Sequence, residues 1–358
     1  MKVAIVYDRV NKFGGAERFL KTILEVFPKA PIYTLVSDPQ KSLWAKSHLV
    51  IPTFLNKIKF FRTRHELLAP LAPMAFETHN FKQFDLIISV TSSDAKSIIT
   101  LPHQTHICIC LTPTRYLWSG HKNYSKDFKL RILPKFLLNY FRFIDKLLSG
   151  RPDYFIAISK EVQKRIKRYY QKESAVIYPP VDAMFFVKKP ILKSKRKYYL
   201  VVSRLVPYKK IDLVIRVFNK LNKKLIIVGE GSELKRLKKL ANKNIKFVGT
   251  VNDSELKKYY CFAKAVIFPQ REDFGLVPLE SQASGTPVIA YKKGGAKETV
   301  IDGKTGIFFN KQNSSSLASA IKKFVKVEIN YQDCLDNSRK FTISEFKTKL
   351  MTFVNEKV

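Results

Sequence analysis

FPQREDFGLVPLESQASGTPVIAYKKGGAKETVIDGKTGIFF, residues 268–309, holds the densest structural punctuation in the chain. Pro269 ends an apolar run that starts at Ala265, Phe274-Gly275-Leu276 opens a helical segment, and a second apolar run extends from Pro287 to Tyr291. Strand, helix, strand in that order is the crossover unit of a parallel sheet. Gly285, Pro287, Gly294 and Gly295 punctuate the strand mouths, where a ligand lies in an open α/β sheet. Glu272 sits in the loop and Glu280 eight residues later on the helix, so two carboxylates can accept hydrogen bonds from two sets of hydroxyls. The N–H groups at the helix start suit a phosphate or a sugar.

The same alternation extends outward in both directions. Short apolar runs rich in β-branched residues recur at Val3 to Tyr7, Ile32 to Leu35, Leu86 to Val90, Ile107 to Leu111 and Tyr154 to Ile158. Further runs follow at Tyr199 to Ser203, Lys224 to Val228 and Ile245 to Val248. These are too many strands for one modest sheet, and Tyr178-Pro-Pro-Val-Asp182, followed by the Lys-rich stretch 188–197, makes a natural seam. The reading is two doubly wound α/β domains, residues 1–182 and 183–342, with a cleft facing the carboxyl ends of the strands. A final helical segment, Ile343 to Asn355 within 343–358, is expected to pack back on the first domain.

Composition narrows the class. A chain of 358 residues with 46% hydrophobic and 26% charged residues is neither a small stapled scaffold, a coiled coil nor a disordered tail. The formal charge of +36 puts nucleic acid and anionic membranes among possible partners. That excess is even, +16 up to Pro180 and +20 after it, and 49 Lys against 16 Arg fits a Lys-biased composition; nucleic-acid readers concentrate charge on one module. Cys108, Cys110, Cys261 and Cys334 show no paired spacing for disulfides or zinc, which points to a reduced, cytoplasmic setting. No segment approaches the ~20 apolar residues of a membrane-spanning helix, and MKVAIVYD lacks the features of a signal peptide. Two insertions, Phe54 to Arg64 and Phe128 to Leu148, mix large apolar residues with Lys and Arg, the composition of an interfacial helix or of a core helix with solvated cations.

Three further turns carry candidate chemistry. Gly14-Gly15 opens a helix after the first strand. In VVSRLVPYKKIDLVIRVF, Arg204 and Lys209 follow a strand and precede a helix, where a guanidinium fork and an ammonium point charge can clamp a diphosphate. The next strand ends in Val228-Gly-Glu-Gly231, a close-approach turn.

Taken together, the E-x7-E pair Glu272 and Glu280 with EDFG, SGTPVIA and GGAKETVIDGKTGIFF, and SRLVPYKKIDLVIRVFN, resemble the donor domain of family 4 retaining glycosyltransferases of the GT-B fold. GGAE near the N-terminus and HICICLTPTRYLW from His106 to Trp118 resemble the branch that makes polysaccharides and O-antigens, many members of which transfer mannose from GDP-mannose. The resemblance implies that Glu280 binds ribose hydroxyls, Glu272 faces the donor sugar, and the amides of Phe274, Gly275 and Leu276 line the sugar and phosphate. Arg204 and Lys209, with Lys210 as the adjacent alternative, would neutralise the diphosphate. Gly231 belongs to the donor side, and Gly14 and Gly15 would close over the diphosphate from the other domain. Thr112 and Arg115 fall on the acceptor or sugar side. No metal or other cofactor is implied. The expected partners are a nucleotide-sugar donor, a glycan or lipid-linked acceptor and an anionic membrane surface approached from the cytoplasm, with no nucleic acid.

One position departs from the pattern. Many relatives carry a His where this chain has Leu111, and Leu offers no hydrogen bond. Thr112, Thr114 or a backbone group is left to replace it. His106 lies five residues earlier, an odd offset on a strand, so it is expected on the opposite face from position 111. Rival readings are a sugar-nucleotide epimerase or phosphorylase on the same architecture, separated by whether the donor changes without transfer, and a basic nucleic-acid binder, which needs one basic face with stacking aromatics.

Overall fold

In a computed structural model of the chain, residues 1–63, 68, 70–119 and 134–358 are described. Two compact units emerge, Met1–Tyr178 with Lys347–Val358, and Pro179–Phe346. The division falls after Tyr178, slightly ahead of the 182 boundary expected from sequence.

Among the described residues the first unit is built on a seven-stranded sheet, order β3-β2-β1-β4-β5-β6-β7, every neighbouring pair parallel. The strands are β1 (Val3–Tyr7), β2 (Ile32–Thr34), β3 (Val50–Pro52), β4 (Leu86–Thr91), β5 (Thr105–Cys110), β6 (Tyr154–Ala157) and β7 (Ala175–Val176). The helices are α1 (Gly15–Val26), α2 (Lys59–Thr63), α3 (Ala72–Glu77), α4 (Lys135–Leu148) and α5 (Lys160–Tyr170). β4 is buried along its whole length and β5 nearly so, which is why both read as continuous apolar runs rather than alternating ones. α5 starts at Ser159, whose side chain accepts the Val162 N–H at 3.0 Å, and stops at Gln171 in the left-handed region. The end of the chain returns to this unit. Lys347 pairs with Glu25 at 3.1 Å, and Phe353 meets Tyr154 edge-on.

The second unit carries a six-stranded parallel sheet, order β10-β9-β8-β11-β12-β13. These are β8 (Tyr198–Val202), β9 (Leu225–Val228), β10 (Ile245–Gly249), β11 (Ala263–Phe268), β12 (Val288–Tyr291) and β13 (Gly306–Phe309). Its helices are α6 (Ile211–Leu221), α7 (Leu234–Leu240), α8 (Asp253–Cys261), α9 (Leu276–Ala283), α10 (Ala296–Thr299), α11 (Ser314–Lys326) and α12 (Tyr331–Ser338). α13 (Ile343–Lys357) closes the chain. Strand order reverses between β8 and β11, so the loops leaving these two strands diverge and open a crevice at their carboxyl ends.

Three strands were not foreseen, and all three are sheet edges. β3 is three residues long and ends on Pro52, β7 has two residues, and β13 begins on Gly306, whose added Cβ would meet the Val288 carbonyl at 2.0 Å. An edge strand buries less and tolerates proline, so its apolar signal is weak. Arg64 and residues 128–133 of the two basic insertions lie outside the described residues.

Candidate functional site

The predicted donor residues of the second unit converge on its switch point. Arg204 and Lys209 follow β8, and Glu272 follows β11. The Lys209 ammonium forms an ion pair with the Glu272 carboxylate, so the two sides of the crevice are already joined. Arg204 is exposed, and its Nη2 donates to the Tyr208 hydroxyl at 3.1 Å. The Lys209 ammonium stands 5.3 Å from the Tyr208 ring centre, so Tyr208 lies between the two cations. Lys210 adopts φ 57°, a left-handed conformation that costs a non-glycine residue about 1 kcal/mol, and α6 starts directly after it.

Glycines set the height of the Glu272 loop. Glu272 and Gly294 form a parallel bridge, and the Gly295 N–H donates to the Glu272 carbonyl at 2.9 Å. A Cβ on Gly294 would fall 2.3 Å from that same carbonyl oxygen, and one on Gly295 would fall 2.1 Å from the Phe274 carbonyl oxygen. The Gly-Gly pair after β12 therefore clasps the backbone from Glu272 to Phe274 at a separation no side chain permits. Phe274 is buried, Gly275 takes φ 99°, and α9 begins at Leu276 without a side-chain cap, which leaves its first N–H groups pointing out of the helix end. Glu280, one turn along α9, is buried and accepts the Tyr260 hydroxyl at 2.7 Å. Gly231 sits in the loop after β9 against Leu205, where a Cβ would meet the Leu205 carbonyl at 2.2 Å.

The remaining predicted residues belong to the first unit, at the carboxyl end of its own sheet. Gly14 is the N-cap of α1 and Gly15 its first residue. Beneath that turn Glu17 is buried and accepts the Tyr7 hydroxyl at 2.7 Å; burial and Glu17 together push the Tyr7 phenol well above its usual range. Leu111 follows β5, its N–H donating to the Thr91 carbonyl at 2.8 Å. Thr112 is buried, with its hydroxyl 3.3 Å from Arg165 Nη1, and Arg115 is half-buried. His106 stands away from this loop chemistry. It is fully buried, its Nε2 lies 2.8 Å from Ser89 Oγ on β4, and burial pushes its pKa down to about 3. It is a neutral core histidine.

Sequence reasoning missed a polar hub beside Thr112. The Asp145 carboxylate on α4 accepts from Lys96 Nζ at 2.7 Å, Thr114 Oγ1 at 2.6 Å, Trp118 Nε1 at 2.6 Å and the Tyr170 hydroxyl at 2.9 Å. Lys96 and Asp145 are both buried, and the hub ties the Thr114–Trp118 segment to the turn after β4, to α4 and to α5. Asp8, after β1, accepts from Thr91 Oγ1 at 2.7 Å and from the N–H groups of Ser92, Asp94 and Ala95. Burial pushes the neighbouring Asp94 up to about 7. Tyr208 and Tyr260 were also passed over. Tyr208 stood inside the quoted VPYKK stretch; nothing local marks Tyr260, twenty residues before the carboxylate it serves.

Among the described residues there is no cluster of three or more His, Cys, Asp and Glu placed to hold a metal ion, and no helix long and apolar enough to cross a membrane.

Residues 184–341 match the family described as Glycosyl transferases group 1. The second unit is a group 1 glycosyl transferase domain. Relatives of the chain include two mannosyltransferases. One is a GDP-mannose-dependent alpha-(1-6)-phosphatidylinositol monomannoside mannosyltransferase of Mycolicibacterium smegmatis, 28% identical over 203 residues, covering 49% of this chain and 53% of the relative. The other is the O-antigen chain mannosyltransferase RfbU of Salmonella typhimurium, 30% identical over 195 residues, covering 51% and 54%. The chain thus spans about half the length of these curated relatives. Among solved structures, Anabaena HepE in complex with UDP and glucose superposes with a TM-score of 0.74 at 19% identity, covering 99% of both chains. With the group 1 domain and two parallel sheets flanked by helices, the chain has the GT-B fold.

Proposed function

We propose that this protein is a retaining glycosyltransferase that moves a hexose, mannose from GDP-mannose, to a hydroxyl of a glycan or lipid-linked acceptor in cell-surface polysaccharide synthesis. The observation that carries the reading is the Lys209–Glu272 pair straddling the switch point of a group 1 domain. A cation that can meet a diphosphate and a carboxylate that can meet sugar hydroxyls stand side by side there, which supports transfer from a nucleotide sugar. The transition state resembles an oxocarbenium ion parting from a diphosphate, and charge on the leaving oxygen is what most needs stabilising. Arg204, Lys209 and the start of α9 supply that stabilisation, each preorganised donor contributing roughly 3 kcal/mol. Glu280, steadied by Tyr260, holds the ribose hydroxyls, and Glu272 reads the sugar.

In the first unit, Gly14 and Gly15 at the start of α1 are read as donor-side residues. With Leu111 in place of the histidine of many relatives, contacts to the reacting sugar fall to Thr112, Arg115 and the backbone. The reaction uses no resident metal, since the cations named above meet the diphosphate charge. The Mycolicibacterium and Salmonella relatives support mannose and, in the first case, a guanine nucleotide. A lipid-linked acceptor places the protein at the cytoplasmic face of a membrane.

Titration calorimetry of the purified chain against GDP-mannose, UDP-glucose and UDP-N-acetylglucosamine, followed by product analysis with and without acceptor, tests the reading. GDP-mannose is expected to bind tightest and to be consumed with acceptor present, in EDTA as well as without it. A donor epimerised without transfer, or no nucleotide sugar bound, would overturn it.

A further inference from the structure

Tyr260 and Glu280 meet inside the second unit, and the contact is asymmetric. Tyr260, near the end of α8, is wholly buried, whereas Glu280 on α9 keeps 9% of its surface accessible. The tyrosine hydroxyl donates to Glu280 Oε2 at 2.7 Å. The donor therefore approaches from the protein side, and the member of the pair that a ligand can reach is the acid. A phenylalanine would pack into the same site; what tyrosine adds is a donor, and the donor is aimed at the carboxylate.

Around that contact the chain closes on itself. Thr286, beyond the end of α9, donates through Oγ1 to the Tyr260 carbonyl at 2.7 Å. Arg196 Nη1 donates to the same Oγ1 at 2.5 Å, and a guanidinium accepts nothing, so the hydroxyl hydrogen of Thr286 is committed to Tyr260. The Tyr260 ring meets Phe185 edge-on with centroids 5.8 Å apart. Phe185 is itself fully buried, and its carbonyl accepts from Ser284 Oγ at 3.1 Å. α9 thus carries Glu280 and, just past its last residue, the two hydroxyls that hold Tyr260 and Phe185. Backbone, ring and hydroxyl of Tyr260 are all fixed relative to the helix that bears the acid.

A glutamate that must be ordered when a ligand arrives loses rotamer freedom on binding, and one already anchored does not. A carboxylate offers about four acceptor positions; a tyrosine donor takes one of them, and a vicinal diol asks for two more. We propose that Tyr260 is a positioning residue that sets the Glu280 carboxylate to read the vicinal diol of a ribose, and so makes the site select nucleotides that carry the diol over those that lack it. The proposal rests on the reading that Glu280 meets ribose, and it adds the group that gives that carboxylate its selectivity. Tyr260 touches no ligand itself, so its removal acts on discrimination and not on the diphosphate.

The test is titration calorimetry of the full chain with GDP and 2′,3′-dideoxy-GDP, and with UDP and 2′,3′-dideoxy-UDP as a parallel pair, so that the ratio within the pair that binds is independent of the base. The wild-type chain is expected to favour the ribonucleotide about tenfold to a hundredfold. Tyr260→Phe is expected to lose about tenfold of that preference, with the dideoxy form bound within about twofold of wild type, whereas a role confined to packing would weaken both forms alike. In a Glu280→Gln background, Tyr260→Phe should change the preference no further. Should Tyr260→Phe not fold, Phe185→Leu keeps the hydroxyl and loosens the ring, and is expected to lose part of the preference. A wild-type chain that binds both forms equally would overturn the ribose reading of Glu280 and this proposal together. A discriminating wild type would leave that reading standing, and the proposal alone would then be overturned by full preference in Tyr260→Phe or Phe185→Leu, by both forms weakened alike, or by a further loss in the Glu280→Gln background.

Discussion

Glu272→Gln separates the ion pair that this carboxylate makes with Lys209 from the sugar contact proposed for it. In the ligand-free chain Glu272 holds the Lys209 ammonium; with donor bound, that ammonium is proposed to turn to the diphosphate, so the pair must break. Their side chains are 18% and 14% exposed, which places the pair between an exposed ion pair, about 0.2–1 kcal/mol, and a charge-assisted bond worth about 1.5–3 kcal/mol. Taking about 1 kcal/mol, Glu272→Gln should tighten GDP binding about fivefold, because Lys209 no longer has to leave a partner. The same substitution should lower kcat about 10–100-fold, since a charged acceptor for the sugar hydroxyls becomes a neutral amide. Lys209→Met should weaken GDP about 10–100-fold, and in that background Glu272→Gln should give no tightening, because there is no ammonium to release. Calorimetry with GDP on the four proteins of this cycle, and initial rates with GDP-mannose and acceptor, supply the numbers. Unchanged or weaker GDP binding by Glu272→Gln, or tightening that persists with Met at 209, would refute the exchange.

Two further predictions bear on the scaffold that holds the site. Gly295→Ala places a methyl 2.1 Å from the Phe274 carbonyl oxygen, so the Glu272–Phe274 backbone must move and transfer should be lost; Gly303→Ala, at φ 79° with open space around it, should cost about 1 kcal/mol of stability and keep its transfer rate, as denaturant titration and activity assays can establish. His106 is neutral in the folded chain down to about pH 3, whereas an unfolded histidine protonates near 6.5, so its contribution is intact above pH 6.5 and is lost as pH falls toward 3. The thermal midpoint of His106→Gln should therefore fall less steeply than wild type between pH 6.5 and 4; parallel curves would show that the buried imidazole is not the group responsible.

How much of this was legible in the sequence depended on whether the deciding contact was local. β8, β9, β11 and β12 sit inside their sheet, so each appears as an apolar run, in β11 from Ala265 onward after the exposed Lys264, and the loops that leave them carry Arg204, Lys209, Gly231 and Glu272 within a few residues. The Gly294-Gly295 clasp was visible as a pair of glycines, although not the Glu272 and Phe274 carbonyls they approach. Edge strands β3, β7 and β13 were too short or too irregular to register. Side chains whose partners are distant in sequence left no trace either. Tyr260 has a sequence reason to be apolar core and none to serve Glu280.

α4 shows why the limit is physical rather than a matter of better patterns. KFLLNYFRFIDKLL has apolar residues on nearly every side of a helix, so periodicity alone does not choose between a face turned inward and a face left outside. The choice is made by Asp145, which in isolation reads as a solvated acid on the polar side. In the folded chain it is buried, because Lys96, forty-nine residues earlier, brings a compensating charge and Thr114, Trp118 and Tyr170 satisfy the remaining acceptor sites. Once that acid is fixed inward, Phe136, Tyr140, Phe143 and Leu147 have no inward option, and an exposed apolar face follows from a buried polar contact that no amphipathic pattern contains.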